Sequence, residues 1–281
     1  VIELGANRYG KQSVRLVRVV RGPVHRVRDL TVDVSLEGAF ETAYTAGDNS
    51  SVVATDTMKN TVYALAPEHL TGAIETFGIA IARHFLAADP VARATVAIRE
   101  HKWEPLPGAG GPAPDAFSRS GAMTRVATVS AGAAGIAVES GIQDLVVMKT
   151  AKSAFSGFPR DRYTTLREVR DRIMATRITA TWRHHAPRDD WDASHDVLVR
   201  TLLGVFADHV SESVQQSIWV MGQAMLEADA GIDEVSMSLP NLHHWLVDLA
   251  PFGGSNAGEI FVATAEPFGL IEATVRRSTA S

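Results

Sequence analysis

A chain of 281 residues can bury one large core or two smaller ones. Its content, 46% hydrophobic and 21% charged, is that of a globular protein, and a net charge of −5 argues against a phosphate backbone as the main ligand. Cysteine is absent, which excludes disulfides, thiolate metal sites and a cysteine nucleophile. No apolar run approaches the roughly 18 to 20 residues that span a bilayer. The start, Val1-Ile2-Glu3-Leu4, lacks the basic-then-apolar order of a signal peptide, and Ser278-Thr279-Ala280-Ser281 is not a peroxisomal tripeptide. The expectation is a cytoplasmic chain with neither nucleic acid nor membrane as partner.

The basic stretch from Arg8 to Arg28 reads as the solvated face of a strand, and Ser13 to Val20 is rich in β-branched residues. After a turn at Gly22-Pro23, Leu30, Val32, Val34 and Leu36 alternate with polar residues, so a long antiparallel hairpin is predicted. The apolar run at Val52-Val53-Ala54 stops at Thr55-Asp56 and resumes as Thr61-Val62-Tyr63-Ala64-Leu65. It reads either as strand-like, with a polar pair at its mouth where a scaffold could present reactive groups, or as an ordinary strand-to-helix turn, since Thr and Asp also cap helices. Pro67-Glu68 is expected near the start of a helix carrying Leu70, Ile74, Phe77, Ile81 and Phe85 and ending near Asp89-Pro90. Arg93 to Trp103 returns to strand. Pro105 to Pro114 is predicted to be a mobile hairpin tip, with Met123 to Ser130 as the return strand.

The second half starts over. Gly135 to Val147 reads as a long strand, with Gly141 a candidate bulge. Thr165-Leu166-Arg167-Glu168 fits a capping box and predicts a short helix through Ala175. Ile178 to Arg183 is strand-like, and Asp192 to Ala228 reads as two helices broken between His209 and Ser213. Val235, Met237 and Leu239 alternate as a strand, and Glu259 to Ala263 and Leu270 to Val275 are shorter extended pieces. Each half therefore reads strand, strand, helices, strand, strand. The expected class is α+β, antiparallel sheets with helices on one face, as two repeats over 1–133 and 134–281. Open sheet edges predict a homo-oligomer.

Familiar catalytic signatures are missing. His184-His185 and His243-His244 are adjacent pairs, and neighbouring strand side chains point to opposite faces, so no metal clamp is expected. Gly108 to Gly111 lies between prolines without a following Lys-Ser/Thr, and no Gly-x-Ser-x-Gly elbow occurs. What remains are scattered polar and aromatic groups: Lys11, the turn from Phe155 to Asp161, Arg172, Gln215, Asn241 and His243. Each also has a plain reading as a solvated, capping or core residue.

Together these pieces resemble the urate oxidase (uricase) family. The matching strings include Tyr9-Gly10-Lys11, Asp48-Asn49-Ser50, Val53-Ala54-Thr55-Asp56-Thr57 and Lys59-Asn60-Thr61-Val62-Tyr63. They continue with Gly157-Phe158-Pro159-Arg160-Asp161, Tyr163-Thr164-Thr165-Leu166, Ser238-Leu239-Pro240-Asn241 and Gly269 to Thr274. The resemblance implies a tandem tunnelling fold whose subunits close into barrels and stack as a homotetramer. It implies a proton relay of Lys11 and Thr55 extended by His243, with Phe155 stacking on a flat purine and Arg172 and Gln215 gripping its polar edge. Backbone groups at Asp56 and Val214 would add hydrogen bonds, and Asn241 with the Thr55 hydroxyl would hold O2, then water, above the ring. Lys11, Thr55 and Asp56 would come from one chain and the purine-gripping residues from its neighbour. The implied reaction is cofactor-free and metal-free oxidation of urate by O2 to 5-hydroxyisourate, with release of hydrogen peroxide. Leu242 departs from the family pattern, standing where lysine is frequent. The competing readings are a pterin- or purine-handling relative of the same fold and an oligomeric purine-binding shell without turnover.

Overall fold

The computed structural model describes residues 2–264 and 266–278, so the readings made of Val1 and of Thr279, Ala280 and Ser281 lie outside the described residues. The chain divides into two units, Val1–Gly141 with Arg183–Ala193 and Ile142–Trp182 with Ser194–Ser281.

The first unit opens with an antiparallel hairpin of β1 (Tyr9–Val20) and β2 (Arg26–Gly38), paired from Tyr9↔Leu36 to Val20↔Arg26. The register slips between Lys11 and Val14. There Ser13 adopts φ 57° and its N–H donates to Asp33 Oδ1 at 2.6 Å. Gly10 is required beside this bulge, because a Cβ on it would lie 1.9 Å from the Val34 carbonyl oxygen. Next come α1 (Glu41–Thr45), α2 (Thr55–His69) and α3 (Ile74–Leu86), then β3 (Val91–His101), β4 (Trp103–Gly108), β5 (Gly111–Arg119) and β6 (Thr124–Gly132). The long β7 (Gly135–Lys149) contributes its residues 135–141 to this unit. The strand order is β1-β2-β3-β6-β7, and β4 and β5 form a separate two-stranded arm. The alternating set Leu30, Val32, Val34 and Leu36 is fully buried beneath α2 and α3, which contribute Met58, Val62, Phe77 and Ile81. Each such side chain contributes about 1.5–3 kcal/mol by leaving water.

Two expectations for this unit are corrected. The stretch from Thr55 is the helix α2, so of the two readings the strand-to-helix turn holds and the strand does not, and Pro67 sits in its last turn instead of opening a helix. Met58, Thr61, Val62 and Ala66 are its buried residues, a three-and-four spacing that outweighs the β-branched character of Thr61-Val62. The single helix expected from Pro67 therefore divides, with α3 beginning only at Ile74. The segment from Pro105 to Pro114 is a hairpin, as read, but it is built of paired strands with Pro107 opposite Pro112. Proline is accommodated because a two-stranded arm consists of edges only.

The second unit contains residues 142–149 of β7, then β8 (Met174–His184), α4 (Trp191–Asp208), α5 (Val214–Ala228) and β9 (Ile232–Leu246). After a single 3₁₀ turn at Ala250–Phe252 come β10 (Phe261–Thr264) and β11 (Leu270–Arg276), both antiparallel to β9. β9 is longer than the alternation of Val235, Met237 and Leu239 suggested, because β11 pairs with it as far as Pro240 and β10 covers His243 to Leu246. α5 packs on β9 and β11 through Ile218, Met221 and Met225, all fully buried.

The helix expected from Thr165 through Ala175 is absent. Phe155 and Val169 exchange both backbone hydrogen bonds, at 2.8 and 3.0 Å, and the Arg172 N–H donates to the Ser153 carbonyl at 2.9 Å. The backbone groups a helix would use internally are thus spent on a neighbouring segment. Glu168 accepts from the Gly157 N–H, at 3.3 Å, instead of closing a capping box.

Candidate functional site

The residues singled out by resemblance fall into two groups, one in each unit. In the first, Lys11 lies on β1 at the bulge, while Thr55 and Asp56 open α2. Tyr9 ties the two together: its ring packs edge-on against Phe40, and its hydroxyl accepts the Val53 N–H at 2.8 Å. The Asp56 carboxylate is exposed. The hydrogen bond from Lys59 holds it below the usual carboxylate range, followed by the charge of Lys59 and, further off, that of Lys11. Asn60 Nδ2 also donates to it, at 2.9 Å. The backbone N–H groups of Thr55 and Asp56 occupy the first two helical positions and have no partner within the helix.

In the second unit six of the expected residues converge. Phe155, Arg172, Val214, Gln215, Asn241 and His243 line one cavity of about 360 Å³. The irregular segment that replaces the predicted helix carries Arg172 to it and adds Leu166, Arg167 and Ile173. The guanidinium of Arg172 lies 5.4 Å from the centroid of the Phe155 ring, and that ring stacks on Phe158 at 5.0 Å with 14° between planes. Burial works against the charge on Arg172, and its Nε is a buried donor without a hydrogen-bond partner among the described residues. Such a group is restored by a planar anion that presents an acceptor.

The opposite wall is the start of α5. Ser213 caps it, its hydroxyl accepting the Gln216 N–H at 3.1 Å, and leaves the N–H groups of Val214 and Gln215 outside the helical bonding pattern. On β9, Asn241, His243 and Trp245 follow at two-residue spacing. The Asn241 N–H is fixed by the Gly269 carbonyl at 2.8 Å, and Thr176 Oγ1 holds the Pro240 carbonyl at 2.8 Å. His243 stacks on Trp245 at 5.1 Å. Burial depresses its pKa, and the charges of Arg172 and His244 add to the effect. Both causes favour the neutral imidazole. No carboxylate lines the cavity among the described residues.

Several lining residues escaped the sequence reading. Arg167 and Leu166 were assigned to a helix, Ile271 to a short extended piece, and Trp245 lay beyond the strand read around Val235 to Leu239. The cap of α5 was legible in Ser213-Val214-Gln215-Gln216, a second capping-box pattern that went unused.

An aromatic face, a guanidinium, an amide and a helix start around one cavity without a carboxylate among the described residues have the chemistry to hold a flat anionic ring. The Uricase family model matches residues 7–130 and 138–272. A uricase from Arthrobacter globiformis is 44% identical over 278 residues, spanning 98% of this chain and 90% of that protein. A uricase from Dictyostelium discoideum is 38% identical over 277 residues, spanning 97% and 96%. The crystal structure of the Arthrobacter globiformis uricase superposes with a TM-score of 0.94 and covers 100% of this chain and 98% of that one. The chain belongs to the uricase family of oxidoreductases, and its α+β tunnelling-type fold is the one expected.

Proposed function

We propose that the chain oxidises urate with O2, giving 5-hydroxyisourate and hydrogen peroxide. One urate, one O2 and one water balance these two products. The observation that carries the reading is the cavity of the second unit, where Arg172, the Phe155 ring, Gln215 and the α5 start line one space without a carboxylate among the described residues. Urate is a planar purine anion rich in carbonyl and amide groups, and each of these elements meets one of its features. Family membership favours turnover over a shell that only binds purine.

In this reading Phe155 stacks on the ring, Arg172 and Gln215 grip its edge, and backbone groups at Val214 and Asp56 add hydrogen bonds. Lys11 accepts a proton, Thr55 relays it and His243 extends the relay, leaving a urate dianion that is a better electron donor to O2. Asn241 and the Thr55 hydroxyl hold O2, and later water, above the ring, and a peroxide at C5 precedes the product. The resident chemistry is proposed to need neither metal nor cofactor. Lys11, Thr55 and Asp56 are proposed to reach the cavity of a neighbouring copy in a homotetramer, each chain contributing two tunnelling repeats over 1–133 and 134–281. The cytoplasm is the compartment proposed.

The experiment is urate and O2 in chelator-containing buffer, following urate absorbance and peroxide, with Lys11→Met in parallel. Turnover in the unmodified protein is expected, and roughly 100-fold or greater loss in the variant, with urate still bound under nitrogen. Strict dependence on added zinc would overturn the cofactor-free reading. Full activity in Lys11→Met would remove Lys11 from the mechanism.

A further inference from the structure

Beside the β9 and β11 residues, three separate segments wall the cavity: 152–158 with Phe155, 164–173 with Arg172, and the start of α5 with Val214 and Gln215. No two of them are adjacent in sequence, so something must set their spacing. A group of buried serines lies behind them. Ser153 and Ser211 are 0% exposed and Ser217 is 1% exposed.

Ser211 is the point where the segments meet. Its carbonyl accepts the Ala154 N–H at 2.7 Å and its own N–H donates to the Lys152 carbonyl at 3.0 Å, a parallel bridge that brackets Ser153. The Ser153 carbonyl in turn accepts the Arg172 N–H at 2.9 Å, and Ala154 leads directly into Phe155. On the other side the Ser211 hydroxyl reaches the Ser213 carbonyl at 3.1 Å and receives the Ser217 hydroxyl at 2.8 Å, both within the capped start of α5. The backbone of Ser211 thus holds the aromatic and guanidinium wall, and its side chain holds the helix wall.

We propose that Ser211 is a positioning residue for purine binding, setting the start of α5 against the Phe155–Arg172 wall through its hydroxyl. The inference rests on the urate reading of the cavity. A hydroxyl is needed for two reasons. It must donate to one partner and accept from another at the same point, and the site has no exposure to water that could substitute. A methyl group there keeps the backbone bridge but releases the helix start. The wall that carries Phe155 then stays in place while Val214 and Gln215 drift from it.

The test compares unmodified protein, Ser211→Ala and Ser217→Ala in two assays: steady-state urate oxidation, and urate binding under nitrogen by difference absorbance. KM and the anaerobic Kd are expected to rise together by roughly 3- to 10-fold, the loss of one hydrogen bond, with kcat within about two-fold. A lower thermal midpoint with KM and Kd unchanged would reduce Ser211 to a structural residue and overturn the proposal. If Ser211→Ala does not fold, Ser217→Ala decides by the same criterion, since it removes the donor to that hydroxyl. Failure of the unmodified protein to bind urate under nitrogen would instead defeat the urate reading itself.

Discussion

His243 shows how burial and nearby charge act on one side chain. Removal from water, together with the charges of Arg172 and His244, lowers its pKa below the ordinary histidine value. His101 and His209 are depressed in the same direction, burial being the largest cause in each. An unfolded histidine takes a proton near pH 6.5, whereas these resist it when folded, so the stability they contribute is present above about pH 6.5 and is lost as the pH falls below it. Melting temperatures measured between pH 8 and pH 5 are expected to decline through that window, and urate turnover with them as His243 charges. A His243→Gln variant should show a shallower decline in melting temperature. An identical slope would mean that other groups govern the acid limit.

At the level of elements, α5 is placed by close contact as much as by its cap. Gly222 faces β11, and a Cβ there would sit 2.6 Å from Cγ2 and 2.8 Å from Cβ of Val275, a branched side chain with little freedom to move. Gly222→Ala should therefore destabilise by about 1–3 kcal/mol despite alanine's better helix propensity, as read from urea unfolding. A stabilised variant would show that α5 can shift. Such a shift would also move Val214 and Gln215, so KM for urate is worth measuring on the same sample. The element that sequence reading missed is the segment from Thr165 to Ile173. Its local pattern is that of a capped helix, and what overrides it is backbone pairing with residues 153–157, which no hydropathy period or capping pattern records.

For the molecule as a whole the question is where a complete site forms. Lys11, Thr55 and Asp56 belong to the first unit and the cavity residues to the second. If sites form between copies, Lys11→Met and Arg172→Gln subunits, each nearly inactive alone, should recover about a quarter of full activity when randomly co-assembled. This follows because one in four neighbour pairs joins an intact lysine to an intact arginine. Activity no higher than either parent would rule out sharing between copies.

Alternating hydropathy and local punctuation were enough to determine both hairpins, the break between α4 and α5 and the strand at Leu270. These depend on interactions within a few residues of chain, which is the range a sequence pattern records. Chemistry entered through short strings such as Tyr9-Gly10-Lys11 and Ser238-Leu239-Pro240-Asn241, which carry meaning only by resemblance. The tertiary structure alone decided that the segment from Thr165 to Ile173 is not a helix, that Arg167 and Trp245 share a cavity with Arg172 and His243, and that Ser211 joins the Phe155–Arg172 wall to the start of α5. Those facts turn on which distant segment satisfies a given backbone N–H or covers a given ring, and that competition is settled only when the chain is packed.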